Sequence, residues 1–165
     1  MAPDDSSQGA PSSPLQVGGS GRLTLHLGIL DQPYRTPGKK AGAMTTGDVA
    51  EILEAKYKIL ENFWRVHGQD CAGDLEVSLG GAMESLLMGR AVDPWGSAGQ
   101  AIAQRMRDFI SSREVETVGI PGTPTKAALM GVSHRRKHPY RKSNPQRPSF
   151  RDTGLMTASY RAWVD

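Results

Sequence analysis

The sequence predicts an α+β fold: a small mixed or antiparallel sheet packed against two to three long helices, with an extended N-terminal arm and an extended, basic C-terminal arm. Three observations carry this. Alternating apolar runs stand near both ends of the chain, apolar stripes of helical period fill its middle, and apolar residues are scarce elsewhere. Of 165 residues 38% are hydrophobic and 6% aromatic, while glycine and proline supply 19 and 11. That is enough for one small core and too little to bury the whole chain, so a single domain over 22–165 is expected.

Residues 1–21 are mostly Ser, Gly, Pro, Gln and Asp. Their burial cannot offset the entropy of ordering, so a flexible arm is expected. The glycines at 18, 19 and 21 lack the preceding strand and the following Lys-Ser/Thr of a phosphate loop. From Arg22 to Leu30, Leu23, Leu25, Leu27 and Ile29 alternate with Thr24, His26 and Gly28, the period of a half-buried strand, which Asp31 and Pro33 close. His26 falls on its polar face. A Gly/Lys/Thr-rich loop over 34–45 follows.

Asp48 with Glu51 reads as a helix start, and Val49, Ile52, Leu53, Leu60, Phe63 and Trp64 keep a helical rhythm interrupted near Lys56-Tyr57. Gly68 predicts a break, with a second helix from Asp70 to Gly89 carrying Cys71, Leu75, Leu79, Ala82, Met83 and Leu86 on one buried stripe. Gly73, Gly80 and Gly81 inside it suggest a closely approaching backbone. Ser97 with Gln100 forms a capping-box pattern for a third helix that ends near Arg113 and buries Ala98, Ile102, Met106, Phe109 and Ile110.

Beyond Glu116 the composition changes. Residues 1–116 hold 11 Lys/Arg and 15 Asp/Glu, a net of −4, whereas 117–165 hold 9 and 2, a net of +7. Gly119 to Gly122 reads as a turn, and Thr123-Pro124 as the cap of a short helix over 125–135. Pro139, Pro145 and Pro148 predict an extended path through 139–150. Asp152-Thr153-Gly154 opens a single helical turn, and Tyr160 to Val164 reads as a strand pinned into a sheet.

No catalytic constellation emerges. His134 and His138 have a metal-like spacing, yet Arg135, Arg136 and Lys137 between them would repel a cation, so no metal or cofactor is expected. Cys71 is the one cysteine. It permits no internal disulfide and reads as a small core residue in a reducing compartment. The first residues do not resemble a secretion signal and no run approaches the ~20 apolar residues of a membrane span, so synthesis in the cytoplasm and no membrane partner are expected.

The candidate binding segment is 134–151, with seven cations in eighteen residues and no acid. Arg135, Arg136, Lys137, Arg141, Lys142, Arg147 and Arg151, interleaved with Tyr140 and Phe150, suit either a phosphate backbone or an acidic protein surface. Charge alone leaves protein and nucleic acid both open.

Leu27-Gly-Ile-Leu-Asp31, Asp48-Val-Ala-Glu-Ile52, Pro124-Thr-Lys-Ala-Ala and, most sharply, Arg147 through Val164 resemble the neck or tail-completion proteins of tailed bacteriophages. Asp152, Thr153, Gly154 and Ser159 stand at the positions of that family's Asp-Thr-Gly-x-x-x-x-Ser motif, which leads into a final strand. Phe63-Trp-Arg-Val-His-Gly68 departs from the aromatic-Gly-Thr segment that the family often carries after its first helix. The resemblance implies a non-enzymatic virion protein that forms a homo-oligomeric ring at the head-tail junction. It would join the head connector or adaptor to the tail tube or tail terminator, with secondary contact to DNA in the channel. The alternative is a small DNA-binding protein that uses the basic segment.

Overall fold

The computed structural model describes residues 23–34, 44–133 and 137–165. The expected N-terminal arm, most of the 34–45 loop, and His134, Arg135 and Arg136 lie outside them. Strand β1 (Leu25–Ile29) is followed by helices α1 (Thr46–Tyr57), α2 (Ile59–Leu87) and α3 (Gly96–Ser111). A 3-10 turn (Glu114–Glu116), two single-turn helices, α4 (Lys126–Leu129) and α5 (Leu155–Ala158), and strand β2 (Tyr160–Val164) complete the chain. The fold is α+β, as the periodicities predict.

The two strands pair antiparallel, with Leu25 opposite Val164, Leu27 opposite Ala162 and Ile29 opposite Tyr160. Two strands alone are marginal in water. Here Leu25, Leu27, Ile29 and Ala162 pack on the helical core, which holds the pair in place. His26 does lie on the outer face, where its Nε2 sits 2.6 Å from an Asp165 carboxylate oxygen and its ring stacks on Trp163 at 5.2 Å.

The core forms where α2 and α3 cross. Phe63, Ile102, Met106, Phe109, Ile110 and Val115 are fully buried. Full burial of an aliphatic or phenyl side chain stabilises by about 1.5–3 kcal/mol, so this group is a major stabilising element. The Phe63 and Phe109 rings meet edge to face at 5.7 Å. α3 buries every residue its spacing marked: Ala98, Ile102, Met106, Phe109 and Ile110.

Several boundaries differ from the sequence reading. α1 starts two residues earlier, because Thr45 and Asp48 form a capping box: the Thr45 hydroxyl accepts from the Asp48 amide and the Asp48 carboxylate accepts from the Thr45 amide. The helix does not break at Gly68. It breaks at Lys58, whose φ of 49° is left-handed, and α2 then runs through Gly68 for 29 residues. Glu54, in the last turn of α1, caps this second start by accepting from the Leu60 and Glu61 amides at 2.7 and 3.4 Å.

Ser97 does not form a capping box with Gln100. Its hydroxyl instead bonds Ser78 across the α2–α3 interface at 2.6 Å, and the turn before α3 is set by Asp93 accepting from the Trp95 amide. α4 is one turn, capped by Thr125 rather than Thr123. Among the described residues nothing lies within 4 Å of where a Cβ would stand at Gly73, Gly80 or Gly81, so no second described backbone approaches them.

Candidate interaction surfaces

The basic segment does not extend; over 137–151 it turns back onto α4. Backbone bonds tie Arg147 to the Ala128 carbonyl at 3.1 Å and Asn144 to that of Arg141 at 3.0 Å. Gly131 (φ 61°) faces the Pro145 carbonyl so closely that a Cβ would collide with it. Ser149, fully buried, makes the polar anchor: its amide donates to Glu116 at 2.7 Å and its hydroxyl accepts from the Thr125 amide at 3.0 Å. Proline spacing pointed to an extended path because these partners are distant in sequence. Nothing in the spacing of Glu116 and Ser149 announces that they meet.

The segment's residues therefore divide. Arg147 turns inward, donating from Nε to the Val132 carbonyl at 3.0 Å and from a terminal nitrogen to the Arg151 carbonyl at 2.6 Å. Phe150 packs on Tyr57 with ring centroids 4.8 Å apart. These two hold the turn. Lys137, Arg141, Lys142 and Arg151 are exposed, as is Tyr140, and Lys137, Tyr140 and Arg141 line one shallow surface. Exposed Leu129 and Met130 on α4 and its C-cap belong to the same end of the molecule.

Within the resembling motif, Thr153 accepts from the Leu155 amide at 3.1 Å, and Gly154 takes a φ of 80° that admits glycine without strain. Ser159, buried, donates to the Leu155 carbonyl at 2.8 Å, and its own carbonyl accepts from Leu30. Asp152 is exposed. The motif thus builds the turn, α5 and the entry into β2.

A second surface lies at the other end of α2. Cys71 is buried and Leu75 packs against the core, but Leu79, Met83 and Leu86, expected on the same buried stripe, are exposed. The cause is geometric. Ser78 already faces Ser97, the second residue of α3, so α3 does not run beside the last nine residues of α2, about 14 Å of helix. Leu79 still borders Leu25, Trp95 and Val164, and Gly81, Ala82 and Ser85 line a concavity with Val92 and Asp93, while Met83, Leu86 and Leu87 project past these contacts. Val77, Leu87 and Met88 add to the uncovered apolar surface at 78, 88 and 73% exposure. Helical spacing showed the stripe, whereas the overhang depends on where α3 begins.

Between the two ends, polar side chains face one another across the helices. Arg105 donates to Asp74 at 2.8 Å and lies 3.6 Å from Asp70, while His67 Nε2 stands 3.1 Å from Glu114. The Asp74 hydrogen bond raises the Arg105 pKa further above its ordinary value. Burial pushes the Cys71 thiol up to about 11, which leaves it a packing group at neutral pH. Among the described residues no group of three or more His, Cys, Asp or Glu is placed to hold a metal, and no helix is long and apolar enough to cross a membrane.

Comparison of the chain with protein-family models, with curated proteins and with solved structures returned no match.

Proposed function

We propose that this chain is a structural virion protein of a tailed bacteriophage, a subunit of a neck or tail-completion ring that joins the head connector to the tail. One observation carries the assembly part of this reading: the apolar stripe of α2 continues at helical period past the point where the chain's own body ends. Among the described residues nothing covers Met83, Leu86 and Leu87, and burial between subunits is what such a continuous patch serves. A closed ring further requires two different, complementary faces per subunit, and the two ends of α2 differ in chemistry. The virion part rests on the Asp152-Thr153-Gly154 to Ser159 motif, which here builds the entry to β2. No residue is assigned a catalytic step.

The test is a phage carrying a deletion of the gene for this chain. Full heads and complete tails that fail to join are the expected outcome, and normal infectious particles would sink the reading. The exposed Lys137, Arg141 and Lys142 also support a second one, direct DNA binding. It requires duplex affinity that falls steeply with salt, and no binding at low salt removes it.

A further inference from the structure

The overhanging face of α2 needs an occupant, and the other end of the same molecule has the matching chemistry. Around the exposed Met83, Leu86 and Leu87 stand Glu76, Glu84 and Asp93, all exposed, and among the described residues Arg90 is the one cation beside them. The basic end reverses this arrangement. There, exposed Leu129, Met130 and Tyr140 are accompanied by Lys126, Lys137, Arg141 and Lys142, and the segment from 117 to 151 contains no acid.

The placement of the two ends matters as much as their charge. Phe150 rests on Tyr57, and Gly122 also faces Tyr57, one residue before the break at Lys58, so the basic end sits at the start of α2. The overhang is at its finish. A helix of 29 residues is about 43 Å long, so the two surfaces are well separated and cannot satisfy one another within one molecule.

We propose that a second copy of this chain covers the overhang, presenting its basic end, so that copies join head to tail through α2 residues 76–87 of one and residues 126–130 and 137–142 of the next. An apolar centre rimmed by opposite charges gives both contact area and register. The pairing rests on the self-assembly part of the reading above and is independent of the virion part. It is a heterologous contact, which closes into a ring or continues as a filament according to the rotation between copies.

The experiment uses two full-length variants, each blocked on one face, followed by sedimentation with circular dichroism to verify helix content. Met83→Asp with Leu87→Asp blocks the overhang, and Arg141→Glu with Lys142→Glu blocks the basic end. All four side chains are exposed, so neither variant removes core packing. The unaltered chain should assemble, with association weakened about tenfold or more by raising salt. Each variant alone should be monomeric. An equimolar mixture should give a discrete dimer, because each partner still offers the face the other lacks. Self-association of the basic-end variant alone through α2, or a mixture that stays monomeric while the unaltered chain assembles, overturns the pairing but leaves ring formation standing. An unaltered chain that remains monomeric overturns both.

Discussion

At Gly99 the backbone of α3 comes so near β2 that a Cβ would stand 2.6 Å from the Ala162 carbonyl oxygen. Gly99→Ala should therefore cost about 1–3 kcal/mol, read as a lower denaturant midpoint at unchanged slope, since strand or helix must shift to admit the methyl. Cys71 gives a second residue-scale prediction. Burial lifts its thiol from the ordinary value of 9.0 to about 11. The folded state thus holds the proton longer, so this contribution is complete below about pH 9 and is lost as pH rises toward 11. Burial of Tyr160 raises its pKa too and acts in the same direction. Melting temperature should fall on the alkaline side, less steeply in Cys71→Ala, and a thiol reagent at neutral pH should label Cys71 only after denaturation.

At the scale of the element, α2 depends on a side chain from its predecessor. Lys58 supplies no side-chain cap, and Glu54 satisfies the first free amides instead. Glu54→Ala should destabilise by about 1 kcal/mol and fray the first turn of α2, visible as faster amide exchange at Leu60 and Glu61. α3, α5 and β2 could be read from sequence because one local signal dominates each: a complete apolar stripe, a Thr-Gly turn, a Tyr/Trp/Val run. The α1–α2 boundary was harder to place. Gly68 costs a helix only up to ~1 kcal/mol, less than the packing of Phe63 and Cys71 on either side recovers, so the helix runs through. The true break, at Lys58, shows in sequence only as a lapse in rhythm. The fold of the basic segment was illegible for another reason: Glu116, Thr125 and Ser149 act together across more than 30 positions of chain.

For the molecule as a whole, the modest net charge of +3 conceals a body whose two ends differ in sign. In the free chain, amides after Ser78 should exchange faster than those between Phe63 and Leu75, and assembly should slow the former selectively. The cations were legible in sequence as a group, but their division into exposed Lys137, Arg141 and Lys142 and inward Arg147 was not, since it follows from the turn onto α4. The β1–β2 pair has a temporal consequence as well. His26 of β1 and Asp165, the residue just after β2 that its ring contacts, lie 139 positions apart. At roughly 5–20 residues per second of synthesis, β1 leaves the ribosome about 7–30 s before its partner exists. During that interval Leu25, Leu27 and Ile29 are held by no strand, while α2 and α3, whose contacts are nearer in sequence, can already collapse. Translation of the codons for β2 therefore decides when the first strand stops being a nascent-chain liability.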